Sequence, residues 1–143
     1  MTCLPDVNVW IALAVGFHRH HSIARQWEEQ LSDQSLAFCR ITEMGVLRML
    51  TNASVMDGIP LTPVEAWRLR DRIFGDPRVR MLREPQGFEA EWRKTSSKHK
   101  IGHNIWTDAY LVSLCASAGC TLVTLDKAVG KRKGCEVILL GTE

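Results

Sequence analysis

The stretch from Ile105 to Lys127, IWTDAYLVSLCASAGCTLVTLDK, constrains the fold more than any other part of the chain. From Thr107 onward the apolar residues recur at helical spacing, and Thr107 and Gly119 are the predicted cap and stop of that helix. Thr121 to Leu125 is short, apolar and rich in β-branched residues, which predicts a buried parallel strand. The stretch therefore predicts a helix that leads directly into a strand of a parallel sheet.

Two acids flank this helix and strand, and chain geometry predicts that they meet. A helix from Asp108 to Ala118 travels about 15 Å. A strand from Cys120 to Asp126 returns about 20 Å in the opposite direction. Asp108 and Asp126 are therefore expected at one edge of the sheet, beyond the carboxyl ends of the strands, where open α/β sheets bind ligands.

The same succession of strand, acid and helix occurs twice more in the first half of the chain. The strands are predicted at Thr2–Leu4 and Leu36–Cys39, and the helices after them at Val7–Val15 and Arg40–Leu50. Asp6 is the predicted cap of the helix Val7–Val15, and Glu43 falls in the first turn of the helix Arg40–Leu50, the third helix of the chain. A single acid at a helix start is often no more than a cap, so the argument for a site rests on the joint placement of all four.

The rest of the chain continues the alternation of helices and strands. Further helices are predicted at Ser22–Leu31, Thr62–Phe74 and Gln86–Thr95, strands at Val79–Leu82 and Val137–Leu140, a turn at Ser32–Ser35 and a loop at Ser96–Gly102. Alternating strands and helices favour a mostly parallel sheet between two helical layers. We therefore expect one domain over residues 1–143, a three-layer α/β/α sandwich.

Composition limits where such a protein works. The chain has 143 residues, 45% of them hydrophobic and 24% charged, which is typical of one globular domain. No apolar run is long enough to cross a membrane, and no basic segment followed by an apolar one marks a signal peptide. Five cysteines without a CxxC spacing predict buried thiols in a reducing compartment. We therefore expect a cytoplasmic protein.

The four acids predict a cation site. Carboxylates gathered at one edge repel one another unless a cation lies between them. Carboxylate oxygens suit hard divalent ions, so Mg²⁺ or Mn²⁺ is the expected cofactor. Histidines 18, 20 and 21 lack a Cys or an acid at the usual zinc spacing and are predicted to form a solvated loop.

Several basic and aromatic residues are candidates for contact with nucleic acid. Lys131, Arg132 and Lys133 either contact an RNA backbone or form a solvated turn. His103, like His99, either contacts a phosphate or is an exposed loop residue. Trp106 lies beside the acids and is the aromatic residue best placed for an RNA contact. The net charge of +2 neither requires nor excludes such a partner.

The segments LPDVNVWIALA, HNIWTDAYLVSLCASAG and TLVTLD, with Glu43 in the third helix, resemble the PIN domain, specifically VapC-type toxins. The resemblance covers the whole chain, although residues 52–100 match no motif. It implies a Mg²⁺- or Mn²⁺-dependent ribonuclease with an α/β/α sandwich. It also implies the site residues, with four acids and two polar neighbours: Asp6, Glu43, Asp108, Asp126, Asn8 and Thr124.

The resulting hypothesis is an endoribonuclease, the toxin of a type II toxin–antitoxin pair. The three aspartates would hold the ions, with Glu43 binding directly or through water, and the ions would activate a water for attack on phosphorus. Asn8 would hydrogen-bond the Asp6 carboxylate, and Thr124 would orient a water on the ion. Two alternatives stay open: a non-enzymatic RNA-binding module, and a metal-dependent aspartate-nucleophile phosphatase, although phosphatases of that kind have a second Asp where Asn8 stands.

Two kinds of partner are also expected. The resemblance implies a homodimer and a small antitoxin protein that silences the toxin. The sequence gives a second, weaker reason for the dimer. Its helices carry several large apolar side chains, including Trp27, Met49 and Trp67, and burying all of them inside one domain of this size would be crowded. An apolar patch left exposed commonly marks an interface. An antitoxin Arg or Lys inserted against Asp6 and Asp108 would block the site.

Overall fold

A computed structural model describes residues 1–31 and 35–141 and places five strands and seven helices in the order β1 (Thr2–Pro5), α1 (Val7–Ala14), α2 (His21–Glu29), β2 (Ser35–Phe38), α3 (Arg40–Leu50), α4 (Pro63–Phe74), β3 (Val79–Met81), α5 (Phe88–Ser97), α6 (Ile105–Ala118), β4 (Cys120–Thr124), α7 (Lys127–Gly130) and β5 (Glu136–Leu139). The strands form one sheet in the order β3-β2-β1-β4-β5. Every pairing between neighbouring strands is parallel. The predicted α/β/α sandwich is confirmed.

Each buried strand feeds two hydrophobic cores, because successive side chains point to opposite faces of a sheet. In β1, Cys3 belongs to one core and Leu4 to the other; in β4, Val123 and Leu122 divide in the same way. The first core is completed by residues of α1, α3 and α4, and the second by residues of α5 and α6. The sheet is therefore covered on both faces, as the apolar strands predict.

A close approach of α1 and α3 fixes the distance between two of the acid-bearing segments. A Cβ built on Gly45 of α3 would lie 2.5 Å from Cγ2 of Val7, the first residue of α1. Val7 is β-branched and has little freedom to move aside. Only glycine therefore allows the helix that carries Glu43 to pack this tightly against the helix that follows Asp6.

The start of α6 differs from the prediction. The helix begins at Ile105, after Asn104, and Thr107 is its third residue rather than its cap. The Asn104 carbonyl accepts the Asp108 backbone N–H at 3.0 Å, so the first helical turn is closed by backbone bonds. No side chain caps this end. The predicted stop is confirmed, since Gly119 adopts the left-handed conformation (φ 71°) that ends helices.

Smaller differences concern the ends of other elements. Helix α2 runs over His21–Glu29 rather than Ser22–Leu31, and α5 over Phe88–Ser97, so it takes the first part of the loop predicted at Ser96–Gly102. Helix α7 was not predicted, because its four residues are too few to show a periodic pattern. Most of the predicted turn at Ser32–Ser35 lies outside the described residues. Within the described part of the chain, no helix is both long and apolar enough to span a bilayer.

Candidate active site

Asp6, Thr124 and Asp126 form one hydrogen-bonded group at the carboxyl ends of β1 and β4. The Asp6 backbone N–H donates to the Val123 carbonyl at 2.9 Å, which fixes the end of β1 to β4. The Thr124 hydroxyl donates to Asp6 Oδ2 at 2.5 Å and accepts the Asp126 backbone N–H at 3.0 Å. A single threonine hydroxyl therefore links the two segments that carry these acids.

Both aspartates also cap a helix. Asp6 Oδ1 accepts the Val9 N–H at 3.1 Å at the start of α1, as the sequence predicts. Asp126 Oδ1 accepts the Ala128 N–H at 2.8 Å at the start of α7. Each carboxylate thus uses one oxygen for the local turn, and the cap holds it at the carboxyl edge of the sheet.

Asp6 is held in an unfavourable electrostatic state. The residue is 8% exposed. Burial raises the pKa of its carboxyl group above the ordinary 3.8, hydrogen bonds from Thr124 and the α1 backbone lower it, and the charge of Asp126 raises it again. The net direction is upward, so the charged form of Asp6 is penalised in the folded chain. A cation bound here would remove that penalty.

Asn8 contributes to this group differently from the prediction. Its backbone N–H, and not its side chain, acts on the Asp6 carboxylate and favours the charged form. The Asn8 side chain lies in the first turn of α1 and is exposed. It is therefore free to contact a ligand at this edge.

Asp108 and Asp126 line the same cleft, of about 550 Å³, together with Ala128, Arg132 and the loop of residues 98–105; we call it the acidic cleft. Asp108 lies in the first turn of α6, and its Oδ2 accepts a hydrogen bond from Arg132 Nη2 at 3.2 Å. The two aspartates that the sequence predicted at one edge are therefore brought together, and a guanidinium group stands beside one of them.

Two buried nitrogen atoms in the acidic cleft have no hydrogen-bond partner among the described residues. They are Arg132 Nε and His99 Nδ1. Burial and the charge of Arg132 lower the pKa of His99, although Asp108 opposes this. An Arg N–H without an acceptor is a ready donor for an anionic oxygen such as that of a phosphate.

The other predicted contact residues surround this cleft to different degrees. His103 lines it, whereas Lys131 and Lys133 are exposed and do not. Trp106 is 57% exposed in the first turn of α6, and its carbonyl accepts the Trp92 indole N–H at 3.0 Å. The hydrogen bond fixes the backbone of Trp106, while its ring is open to solvent. Trp106 and Asp108 lie in the same turn of α6.

Glu43 is bonded to arginines and, in the described part of the chain, makes no hydrogen bond to the group of Asp6, Thr124 and Asp126. Its side chain is 3% exposed and makes two ion pairs, with Arg40 Nη1 at 2.5 Å and with Arg70 Nε at 2.9 Å. The Arg70 guanidinium also stacks on the Phe74 ring, 3.8 Å from its centroid. Two arginines from α3 and α4 thus neutralise Glu43, and Arg70 extends this ionic network to Asp71 at 3.2 Å.

The donor set fits Mg²⁺ or Mn²⁺ in its chemistry. It consists of carboxylates and a hydroxyl, which are the hard oxygen ligands these ions prefer. Guanidinium groups already stand as cations beside Asp108 and Glu43. Within the described ranges, however, no three Asp, Glu, His or Cys side chains lie together as a preformed metal site. The residues that could hold an ion are Asp6, Asp126 and Asp108, and Asp108 would first have to exchange its arginine partner.

Sequence reasoning did not identify the arginine partners of the acids. Arg40 precedes Glu43 by three residues, and that helical spacing was a usable signal. Arg70 is 27 residues from Glu43, and Arg132 is 24 residues from Asp108. No local pattern predicts pairs of such long range, so only the tertiary structure reveals them.

Comparison with known proteins gives one family and close relatives. The family model described as "PIN domain" matches residues 3–134. The chain is 37% identical over 142 residues to ribonuclease VapC41 of Mycobacterium tuberculosis, covering 96% of this chain and 97% of that protein.

Solved structures share the fold at low sequence identity. The Mycobacterium tuberculosis toxin VapC20, described as cleaving the sarcin–ricin loop, has a TM-score of 0.67 at 13% identity, with 94% of this chain and 98% of that chain covered. A toxin–antitoxin complex from Klebsiella pneumoniae has a TM-score of 0.62 at 18% identity, with 95% of each chain covered. At such identities the likeness establishes the fold alone.

Proposed function

Because the chain belongs to the PIN-domain family, as its family match and its VapC relative establish, we propose that it is a Mg²⁺- or Mn²⁺-dependent endoribonuclease and the toxin of a type II toxin–antitoxin pair. The observation that carries this proposal is the group of Asp6, Thr124 and Asp126 at the carboxyl edge of the sheet, with Asp108 lining the same cleft as Asp126. Its relative VapC41 is named a ribonuclease.

The chain supplies the ligands and the scaffold for this chemistry. A bound divalent ion would lower the pKa of an attacking water and stabilise the leaving oxygen of the phosphodiester. Asp6, Asp108 and Asp126 would hold the ion. Thr124 keeps Asp6 and Asp126 in register through its two hydrogen bonds. The caps of α1 and α7 prevent both aspartates from turning away.

RNA contacts are proposed around the acidic cleft. Arg132 has an unpartnered Nε beside Asp108 and would donate to a phosphate oxygen. His103 lines the same cleft, and the exposed Trp106 ring offers a face for base stacking. Lys131 and Lys133 flank Arg132 at the rim and would add electrostatic attraction for the backbone.

A phosphatase with an aspartate nucleophile is less well supported. In that reaction one carboxylate must attack phosphorus directly. Asp6 is buried, and both of its oxygens accept hydrogen bonds, from Val9 and from Thr124. A carboxylate with both oxygens engaged is a weak nucleophile, whereas a metal ligand keeps such bonds and is oriented by them.

An antitoxin and a second copy of the chain are the proposed protein partners. The acidic cleft already accommodates one arginine, Arg132, against Asp108. An antitoxin Arg or Lys would use the same acceptor chemistry at Asp6 and Asp108 and so displace metal or RNA. The Klebsiella pneumoniae structure with the same fold is a toxin–antitoxin complex.

The proposal is tested with purified protein and RNA. Cleavage is expected with Mg²⁺ or Mn²⁺ and none with EDTA. Asp6→Asn and Asp108→Asn should each reduce the cleavage rate by roughly 100-fold or more, since ligands matter at least as much as the groups that orient them. Circular dichroism shows whether both variants stay folded.

A matched control is Asp57→Asn. Asp57 is exposed in the turn after α3, with φ 53°, a conformation that asparagine adopts readily. It should cleave like the unaltered chain. Full activity in EDTA, or in both active-site variants, would exclude the metal mechanism. RNA binding without cleavage under any metal condition would favour the non-enzymatic module.

A further inference from the structure

A second cleft, of about 680 Å³, lies at the same edge of the sheet, on the far side of Asp6 from Asp126. It is lined by Arg40, Arg70, Met81, Leu82, Arg83, Glu84 and Tyr110, and we call it the arginine cleft. Leu82 follows β3 directly, and its N–H donates to the carbonyl of Phe38, the last residue of β2, at 2.6 Å. The cleft therefore opens at the carboxyl ends of β2 and β3.

Cationic groups dominate the lining of this cleft. Arg40 and Arg70 share the carboxylate of Glu43, and Arg70 also pairs with the carboxylate of Asp71 at 3.2 Å, so these two arginines are balanced by two acids. The Arg40 side chain is 68% exposed although one of its nitrogens is bonded to Glu43. The arrangement presents guanidinium N–H groups to solvent and suits an anion rather than a metal ion.

Arg83 adds a cation that forms no ion pair in the described part of the chain. It is exposed in the segment after β3 and makes no ion pair or hydrogen bond with residues 1–31 or 35–141. The neighbouring acid, Glu84, keeps its negative charge, but its Oε1 accepts the Tyr110 hydroxyl at 2.8 Å and it forms no ion pair with Arg83. An exposed, unpaired arginine at the rim of a cleft is available for an incoming anion.

The sheet order places this cleft in line with the acids. Strands β2 and β3 lie on one side of β1, and β4 lies on the other. Since neighbouring strands are about 4.8 Å apart, the ends of β3 and β4 are separated by roughly 14 Å, with Asp6 between them. A flexible polyanion crossing Asp6 from the acidic cleft would reach the arginine cleft next.

We propose that the arginine cleft is a binding site for a backbone phosphate of single-stranded RNA, on the opposite side of Asp6 from the acidic cleft. This inference rests on the proposed function for the identity of the polyanion. Small-ligand pockets are mostly apolar and enclosed, whereas this one is an open cleft with several charged residues. The planar guanidinium group of arginine fits phosphate oxygens. Of the three arginines in this cleft, Arg83 is the one that is not paired with Glu43.

The test measures binding rather than cleavage. A fluorescein-labelled single-stranded RNA of about a dozen nucleotides, long enough to cover a typical single-strand site, is titrated with protein in EDTA. Fluorescence anisotropy is followed at several salt concentrations, and a gel checks that the RNA stays intact. Arg83→Gln should raise the Kd about fivefold, uniformly across sequences, and lower the slope of log K against log salt by roughly 0.7, the value for one phosphate of a single strand.

Arg72→Gln is the matched control. Arg72 is exposed on α4, two residues from Arg70, but it lines a pocket with Leu36 and Val79, near the amino ends of β2 and β3. The Arg72→Gln substitution removes the same charge as Arg83→Gln, but near the amino ends of the strands. It should leave the slope of log K against log salt unchanged. Equal slopes for Arg83→Gln and the unaltered chain would overturn the inference.

The remaining outcomes separate this inference from the proposed nuclease. RNA binding that depends on Arg83, without cleavage in Mg²⁺ or Mn²⁺, would support the phosphate site and reject the nuclease. Cleavage by the unaltered chain, with RNA binding insensitive to Arg83→Gln, would do the reverse. A third outcome is that Arg83→Gln leaves RNA binding unchanged but weakens binding of an acidic antitoxin peptide, titrated in the same way. The cleft would then bind protein, and the RNA assignment would be wrong.

Discussion

The hydroxyl of Thr124, at the end of β4, donates a 2.5 Å hydrogen bond to Asp6 Oδ2, at the end of β1. Both residues are buried, and the same hydroxyl accepts the Asp126 backbone N–H at 3.0 Å. The contact joins residues that are 118 positions apart in the chain. It is the point at which the first and the last of the four predicted acids become parts of one site.

Thr124→Val should destabilise the metal-free protein by about 1.5–3 kcal/mol, because a buried carboxylate loses a charge-assisted bond that water cannot replace. Urea unfolding in EDTA measures this. Thr121→Val is the control: it is the same change in the same buried strand, but that hydroxyl has only 3.4 Å contacts, to Met1 and Glu136. Similar losses for both variants would mean that the bond to Asp6 carries no special weight.

Asp6 should make the stability of the metal-free protein fall as pH rises. Its pKa is raised in the folded chain, so the folded state binds the proton more tightly than the unfolded state. That contribution is fully present below the unfolded value near 3.8 and is lost as pH rises through the folded value. Asp6→Asn should remove this loss, so the melting temperature in EDTA at pH 7 should exceed that of the unaltered chain. A lower melting temperature would show that charged Asp6 stabilises the fold.

Mn²⁺ should raise the melting temperature, because an ion bound only by the folded chain shifts the unfolding equilibrium. At a free concentration 100 times the Kd the stabilisation is about 2.7 kcal/mol. Asp126→Asn should show a much smaller shift in differential scanning fluorimetry, since it removes one ligand. Asp57→Asn, exposed in the turn after α3, should shift like the unaltered chain. Equal shifts for Asp126→Asn and the unaltered chain would place the ion elsewhere.

Gly45→Ala should cost about 1–3 kcal/mol, as overpacking does in a close helix contact. The new Cβ would lie 2.5 Å from Val7 Cγ2, which outweighs the better helix propensity of alanine. Chemical unfolding measures the change. Gly16→Ala, where no atom lies within 4 Å of the added carbon, should be close to neutral. A neutral Gly45→Ala would mean that α1 and α3 can separate without cost.

Light scattering at micromolar concentration should give twice the chain mass. The apolar residues Met44 and Trp67 are each 48% exposed and line one groove between α3 and α4, whereas Trp27 and Met49 pack against the core. Of the three large apolar residues named from the sequence, only Trp67 is exposed, and with Met44 it forms an apolar groove that a second copy of the chain could cover. A mass equal to one chain across the concentration range would remove the homodimer proposal.

The predicted elements were most accurate where the local pattern and the tertiary burial agree. Helix α3 has the predicted bounds, Arg40–Leu50, and the Asp6 and Gly119 ends of α1 and α6 are as predicted. The resemblance to PIN domains is confirmed by the family match. The Thr107 cap was wrong, because α6 gains its first turn from backbone bonds beginning at Asn104. The site roles of the four acids stay predictions until activity is measured.

The sequence by itself determined the alternation of strands and helices and the position of an acid at the end of each relevant strand. Those features depend on side-chain periodicity and capping, which act within a few residues. Only the tertiary structure decided which partner each acid has: Asp6 and Asp126 meet at Thr124, Asp108 pairs with Arg132, and Glu43 pairs with Arg40 and Arg70. Apart from Arg40 beside Glu43 and Thr124 beside Asp126, these partners come from distant segments. Ion pairing depends on distance in space and on burial, and neither can be read from the order of residues.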